Sequence, residues 1–274
     1  MTVHTTGNLG KTVEPRLRLQ GINKTFGAVQ ALRNVDFEVH AGEIVGLVGD
    51  NGAGKSTLIK IIAGVYPVDS GAIFVDGKQV RITTPYEANR LGIETVYQDL
   101  ALCDNLSVVD NLFLGREMKV RVAGMLDQAT MERRAMEVLE QLNVEIPSVR
   151  VPVSTLSGGQ RQSIAVAKAL LRNARIILLD EPTAALGITQ TRQVLNLIRL
   201  LREKGLAVVI ISHNLAEVFD VVDRLVVLRL GRRVANFDVK VATTANVVAT
   251  ITGADGAGNH PTISSMPVGS LPRG

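Results

Sequence analysis

The stretch IVGLVGDNGAGKSTLIKIIA, residues 44–63, decides the fold. Its first five residues are apolar or small, which is typical of a strand buried on both faces of a parallel sheet. The middle fits the pattern G-x-x-x-x-G-K-[ST], whose glycines let successive backbone N–H groups curl around phosphate oxygens. The end has helical apolar spacing, so the positive end of its dipole would face the same anion. Strand, loop and helix in this order predict a phosphate-binding site.

The side chains of this P-loop have expected roles. Lys55 should reach the β- and γ-phosphates of a nucleotide, and the Ser56 hydroxyl should bind Mg²⁺. The residues expected to bind the nucleotide here are Gly49, Asp50, Asn51, Gly52, Ala53, Gly54, Lys55, Ser56 and Thr57. The alternative is a glycine-rich turn without a ligand, and the flanking strand and helix argue against it.

A second apolar strand, Ile176–Leu179, ends in the carboxylates of Asp180 and Glu181. Half-buried carboxylates need a partner, and Mg²⁺ with ATP would supply one. We expect Asp180 to contact Mg²⁺ directly or through water. We expect Glu181 to orient or deprotonate the attacking water. For this segment taken alone, two acids in a solvated loop is the alternative.

The segment LSGGQ, residues 156–160, precedes a helix predicted over Arg161–Leu171. Its residues expected to bind phosphate are Ser157, Gly158, Gly159 and Gln160. Small residues at a helix N-terminus form a second anion-binding site. One P-loop with two phosphate-binding helix starts is explained by a head-to-tail dimer, in which each LSGGQ segment covers the nucleotide of the other copy.

With these motifs in this order, the chain resembles the ABC ATPase family over roughly residues 17–240. The resemblance implies an α/β fold. Its P-loop NTPase core would hold a mostly parallel, RecA-like sheet, with an antiparallel β subdomain and a helical insertion at about residues 99–172. We expect the ATPase domain to span residues 17–250, between flexible segments at 1–16 and 251–274. The resemblance also implies ATP and Mg²⁺ as ligands and ATP hydrolysis as the activity.

The resemblance assigns roles to three more residues. Gln98, after the strand over residues 92–97, matches the glutamine that touches Mg²⁺ or the water and couples the site to the membrane partner. His213, after the strand Ala207–Ile211, matches the histidine that contacts the γ-phosphate. Phe26 matches the aromatic residue that stacks on adenine, although a phenylalanine near a β-hairpin is more often a core residue.

One position departs from the family pattern. The family usually has S-A-L-D after the segment that begins at Glu181, and this chain has Ala184-Ala185-Leu186-Gly187. An aspartate that normally crosses the dimer interface is therefore replaced by Gly187.

Three stretches, residues 96–117, 181–187 and 230–237, are similar to the ATPases of ribose, xylose and fructose importers. This similarity implies monosaccharide import, with a second ATPase subunit, transmembrane permease subunits and, indirectly, a sugar-binding protein as partners. It also implies a peripheral position at the cytoplasmic face of the plasma membrane.

The composition fits this interpretation. Apolar residues make up 46% of the 274 residues, enough to bury a core. Aromatic residues are 3% and the net charge is +4, which argues against a base-stacking nucleic-acid platform, so we expect no nucleic-acid partner. A single cysteine, Cys103, cannot form an internal disulfide, and a cytosolic chain is expected.

Three alternatives stay open at this stage. They are an ABC ATPase for another cargo, a soluble ABC protein acting on nucleic acid or ribosomes, and a regulatory subunit that does not hydrolyse ATP. The single P-loop and the absence of a long heptad run disfavour the second. The presence of Lys55, Asp180 and Glu181 disfavours the third.

Overall fold

The computed structural model describes residues 14–120 and 124–254, which form two β-sheets and the helices around them. The strands are β1 (Leu17–Phe26), β2 (Val29–Val39), β3 (Ile44–Val48), β4 (Ser70–Val75), β5 (Lys78–Val80), β6 (Ile93–Val96), β7 (Ile176–Asp180), β8 (Ala207–Ile211), β9 (Arg224–Arg229) and β10 (Arg232–Asp238). The helices are α1 (Lys55–Ile62), α2 (Pro85–Arg90), α3 (Val108–Phe113), α4 (Gln128–Gln141), α5 (Gly158–Leu171), α6 (Ile188–Glu203), α7 (Leu215–Val221) and α8 (Thr244–Thr252). The α/β class is confirmed.

The larger sheet has the strand order β10-β9-β3-β8-β7-β6 and is parallel except for β10. Strands β3 and β8 are buried along their whole length. Alternate residues of β3 join different cores, Ile44 and Val48 on one face and Val45 and Leu47 on the other. The strand before the P-loop is an inner strand of the sheet with a hydrophobic core on each face. This explains why it is apolar on both faces.

The smaller sheet is antiparallel, with the order β2-β1-β4-β5. In β1 the core-facing residues Leu17, Leu19 and Ile22 are fully buried, and the residues between them are more exposed. The predicted hairpin at Asp76-Gly77 joins β4 to β5. This sheet is the predicted antiparallel β subdomain.

The predicted helical insertion lies between β6 and β7 and contains α3, α4 and α5. Between α3 and α4, Lys119 and Leu126 form an antiparallel bridge. Gly115 and Gly124 have φ of 77° and 65°, which helical backbone does not allow. Among the described residues, no helix is long and apolar enough to cross a membrane.

The C-terminal boundary also differs. Helix α8 continues to Thr252 and ends at Gly253, whose φ is 76°, so the expected flexible segment cannot begin at residue 251. A glycine in this conformation is a common helix C-terminus. Residues 1–13 and 255–274 of the two predicted terminal segments lie outside the described residues.

The parallel strands bring the predicted site residues to one edge of the sheet. Gly49 follows β3, Asp180 ends β7, and His213 and Gln98 come shortly after β8 and β6. Because the carboxyl ends of parallel strands meet at the same edge, residues far apart in sequence converge there.

Candidate functional site

Three glycines shape the P-loop. Gly49, Gly52 and Gly54 have φ of 149°, 78° and 105°, values that other residues rarely adopt. A Cβ on Gly49 would lie 2.1 Å from the carbonyl oxygen of Leu228, and one on Gly54 would lie 2.8 Å from that of Ala31. The loop packs directly on the backbone of β9 and β2, so only glycine fits at 49 and 54.

Lys55 is the first residue of α1 and is buried. Its Nζ donates to the carbonyl oxygens of Gly49 at 2.7 Å and Asp50 at 3.0 Å. Burial lowers the pKa of the amine, and the carboxylates of Glu181, Asp50 and Asp180 oppose this shift. The cation is thus held against its own loop at the N-terminus of α1, where an anion is stabilised.

Two carboxylates stand at the end of β7. Glu181 has φ of 51°, and its N–H donates to the carbonyl oxygen of Ile211 at 2.9 Å. Burial raises the pKa of both Asp180 and Glu181. The largest opposing effect is the charge of Lys60 on Asp180 and the charge of His213 on Glu181. Oε1 of Glu181 is buried without a hydrogen-bond partner among the described residues. Such an oxygen needs water or a ligand.

His213 lies beside Glu181. Its Nε2 is 3.1 Å from Glu181 Oε1, but the two atoms lack hydrogen-bond geometry. Its backbone N–H donates to Glu181 Oε2 at 3.4 Å. The His213 side chain is 60% exposed, so the ring is accessible to a ligand in the cleft.

These residues line one cleft of about 600 Å³. The predicted site residues that line it are Asn51, Gly52, Ala53, Gly54, Lys55, Ser56, Thr57, Gln98, Asp180, Glu181 and His213. Gly49 and Asp50 lie in the same loop and contribute the carbonyl oxygens that hold Lys55. Lining residues that the sequence analysis missed are Val29, Gln30, Ala31, Arg33, Ile211, Leu230 and Gly231. Most of these belong to the β1–β2 and β9–β10 hairpins, and no sequence motif predicts that these hairpins lie beside the P-loop.

Phe26 does not line this cleft. Its ring packs edge-on against Tyr66, with a centroid distance of 5.0 Å, and Lys24 Nζ lies 5.4 Å from its centre. Its register partner Val29 does line the cleft. The Phe26 ring is 41% exposed despite this contact, so its predicted stacking on adenine stays a prediction.

The LSGGQ segment begins α5 through a capping box. Ser157 Oγ accepts from the N–H of Gln160 at 3.3 Å, and Gln160 Oε1 accepts from the N–H of Ser157 at 2.9 Å. The helix consequently starts at Gly158, three residues before the predicted Arg161. Ser157 and Gln160 line a separate cavity of about 530 Å³, bordered also by α6. Within one copy of the chain, the N-termini of α1 and α5 border different cavities.

Two glycines let α6 and the loop before it approach this segment. A Cβ on Gly158 would lie 2.7 Å from Leu186 Cδ2, and one on Gly159 would lie 3.1 Å from Gln193 Oε1. Gly187 is the N-cap residue of α6, with φ of −74°, and nothing lies within 4 Å of an added Cβ. The local fold does not require glycine at 187, and an aspartate would fit there.

A hydrogen-bonded network joins the loop after Glu181 to α7. The Thr183 hydroxyl donates to Glu217 Oε2, and Glu217 Oε1 accepts from Asn214 Nδ2 at 2.7 Å. The Asn214 side chain also caps α7. The network ties the loop that carries Glu181 to the one that carries His213.

Thr183→Val is expected to lower the free energy of unfolding by about 1 kcal/mol. Valine keeps the buried volume, but Glu217 loses a donor. Chemical denaturation measures the change. Thr189→Val, at an exposed position of α6, is the control and should shift stability by less than about 0.5 kcal/mol. Equal losses in the two variants would contradict the network's contribution.

The comparison with family models gives a match to the ABC transporter family over residues 32–184, more than half of the chain. The chain belongs to the ABC transporter family. Solved ATP-binding cassettes agree with this: a nucleotide-free cassette superimposes with a TM-score of 0.76 at 26% identity, covering 88% of this chain and 98% of the cassette. A dimeric cassette with ADP and Pi bound has a TM-score of 0.67 at 27% identity, covering 81% and 98%.

This ABC protein also has close sequence relatives. It is 47% identical to the fructose import ATP-binding protein of Rhizobium meliloti, over 88% of this chain and 95% of that one. It is 47% identical to the xylose/arabinose import ATP-binding protein of Sulfolobus acidocaldarius, over 79% and 85%. It is 40% identical to the ribose import ATP-binding protein of Clostridium perfringens. That match covers 87% of this chain but only 48% of the ribose protein. The predicted nucleotide-binding ATPase is confirmed.

Proposed function

We propose that this chain is the ATP-hydrolysing subunit of an importer for a monosaccharide. The observation that carries the proposal is its 47% identity to a fructose import ATP-binding protein over most of both chains. The other relatives are named for xylose/arabinose and ribose import. Fructose, ribose and xylose are therefore the cargoes to test.

In this proposal the P-loop holds the phosphates of ATP. Lys55 moves its hydrogen bonds from the carbonyl oxygens of its own loop to the β- and γ-phosphates, and the N-terminus of α1 stabilises their charge. The backbone N–H groups of residues 49–57 complete the phosphate contacts.

Mg²⁺ fits the donors at this edge of the sheet. The Ser56 hydroxyl, the Gln98 amide oxygen and the Asp180 carboxylate are hard oxygen ligands that line the same cleft. Within the described part of the chain, no three His, Cys, Asp or Glu side chains group to hold a metal by themselves. Mg²⁺ is usually held by one or two side chains together with nucleotide phosphates.

Glu181 and His213 would act on the attacking water. Oε1 of Glu181, which accepts no hydrogen bond within the described part of the chain, provides the acceptor for a water proton. The raised pKa of the carboxyl makes it a stronger base than an exposed carboxylate. His213, accessible beside it, would contact the γ-phosphate and hold the carboxylate in place. The chemistry is transfer of the terminal phosphoryl group to water.

The working unit in this proposal is a dimer of the chain. Residues Ser157–Gln160 and the P-loop border different cavities, so a second copy is needed to bring an LSGGQ segment to each ATP. A dimeric cassette is also among the similar structures. We further propose that the dimer binds permease subunits at the cytoplasmic face of the plasma membrane, and that a sugar-binding protein delivers the cargo.

Reconstitution tests this function. The chain would be placed in proteoliposomes with candidate permease subunits, and uptake of labelled fructose, ribose and xylose would be measured with the matching sugar-binding protein. We expect uptake of one of these sugars with ATP and none with ADP or without this chain. Uptake that does not depend on this chain contradicts the proposal. So does salt-sensitive RNA binding without membrane association, which would favour a soluble ABC protein.

A further inference from the structure

Asn111, in α3, is the most deeply buried polar side chain among the described residues, with 0% exposure. Its Oδ1 accepts from the N–H of Cys103 at 2.7 Å. Its Nδ2 donates to the carbonyl oxygens of Cys103 at 3.0 Å, Leu106 at 3.2 Å and Ser107 at 3.0 Å. A side-chain amide has an NH₂ group that donates and an oxygen that accepts, so the backbone of residues 103–107 engages both polar groups of Asn111.

The helix itself does not require an asparagine at 111. The other buried residues of α3 are apolar and belong to one hydrophobic core, namely Val108, Val109, Leu112 and Phe113. A buried amide costs free energy unless its hydrogen-bond partners compensate for the lost water. Asn111 is therefore explained by the loop that it holds, and residues 103–107 are called the anchored loop below.

The anchored loop is also bonded to the segment that precedes LSGGQ. The N–H of Val153 donates to the Leu106 carbonyl oxygen at 3.0 Å, and the N–H of Ser154 donates to the Asp104 carbonyl oxygen at 3.0 Å. The Asp104 carboxylate lies 3.4 Å from the guanidinium of Arg161 in α5. The anchored loop is thus held by α3 on one side and by residues at the start of α5 on the other, which makes it a fixed point of the helical insertion.

Gln98 is held far less firmly. Its side chain is exposed and makes no hydrogen bond within residues 14–120 and 124–254. The link of residues 97–102 joins the end of β6 to the anchored loop. Leu100 and Leu102 pack partly buried against the core, and Ala101 between them has φ of 50°. Because this link is short, the position of Gln98 depends on both of the points at which the link is attached.

We propose that Asn111 is a positioning residue for Gln98 and acts through the anchored loop. The inference rests on the proposed binding of Mg²⁺ and ATP, in which the Gln98 amide oxygen joins Ser56 and Asp180. Asn111 fixes the far end of the link, so the Gln98 amide stays at the cleft that the other two residues line. Groups that hold a metal ligand in place contribute to metal affinity although they do not touch the metal.

The test separates the metal from the nucleotide. In the full chain, Asn111→Ala should reduce the gain in ATP affinity that Mg²⁺ provides by about tenfold, and should leave ATP binding in EDTA within about twofold of the wild type. Calorimetric titrations of ATP with Mg²⁺ and with EDTA give the two affinities. The matched control is Asn105→Ala, at an exposed asparagine of the anchored loop whose side chain makes no hydrogen bond within the described residues. It should change neither affinity.

A double variant shows whether Asn111 acts through Gln98. In a Gln98→Ala chain, adding Asn111→Ala should reduce the gain from Mg²⁺ no further, because the residue that it positions is already gone. A glycine inserted after Ala101 lengthens the link without removing a buried hydrogen bond, and should reproduce the loss even if Asn111→Ala fails to fold. A wild-type gain from Mg²⁺ in the insertion variant, or a second full loss in the double variant, overturns the inference. A wild-type chain whose ATP binding gains nothing from Mg²⁺ would instead overturn the proposed metal site.

Discussion

Lys55→Ala is expected to weaken ATP binding at least about 100-fold, which a nucleotide titration would register as its loss. The wild-type amine is buried at the base of the cleft and is held by two carbonyl oxygens of its own loop. Its charge is therefore available to the β- and γ-phosphates in a site shielded from water. Alanine removes that charge and leaves Asp180 and Glu181 to repel the nucleotide.

Two further variants isolate this effect. Lys55→Met keeps the aliphatic stem and should bind ATP as poorly as Lys55→Ala, with a melting temperature close to that of the wild type. Lys78→Ala removes an exposed lysine of β5 and should not change ATP binding. If Lys55→Met binds ATP normally, the amine does not contact the phosphates.

Glu181→Gln is expected to keep ATP binding but to lower the hydrolysis rate by about 100- to 1000-fold. Glutamine has nearly the same shape but cannot accept a proton from water. Because ATP then persists, the variant should accumulate as a closed dimer with ATP, visible by size-exclusion chromatography. Glu203→Gln, an exposed position at the end of α6, is the control and should hydrolyse ATP normally. Normal turnover by Glu181→Gln would remove its assignment as the base.

The same residue predicts a pH dependence. Burial raises the pKa of Glu181 above its ordinary value of 4.5, and the carboxyl must be ionised to accept a proton. The hydrolysis rate of the wild type should therefore fall as the pH falls through this raised pKa, so the acid limb of the profile lies above pH 4.5. The residual activity of Glu181→Gln should lack that limb.

The order of the sequence motifs is sufficient to predict the central strands of the sheet and which residues meet at the P-loop end of the cleft. Residues 44–63 specify strand, loop and helix by local chemistry alone, and glycine at 49 and 54 is required by the backbone. Asp180 and Glu181 follow a strand whose apolar pattern is equally local. Their convergence with the P-loop could be predicted because parallel strands share one carboxyl edge.

The other end of the site could not be predicted in this way. Val29 and Leu230 reach the cleft through the pairing of hairpins with distant strands, and neither belongs to a recognisable motif. Phe26 matches the aromatic residue that stacks on adenine in the family, but its packing on Tyr66 is a tertiary contact that the sequence does not reveal. Helices α3 and α4 are separate elements because Gly115 and Gly124, which have positive φ, lie between them.

The strand order also governs when the site can form during synthesis. β3 pairs with β8 and β9. Ile44 therefore cannot pair until Val208 has been synthesised, and Val45 cannot pair with β9 until Arg224 has been synthesised. The P-loop backbone itself packs on residues 228–231. A nascent chain released only as far as α7 thus lacks the surface on which its P-loop folds. Such long-range pairing slows folding and leaves apolar strands exposed meanwhile, so we expect ATP binding only after the chain has been synthesised past residue 231.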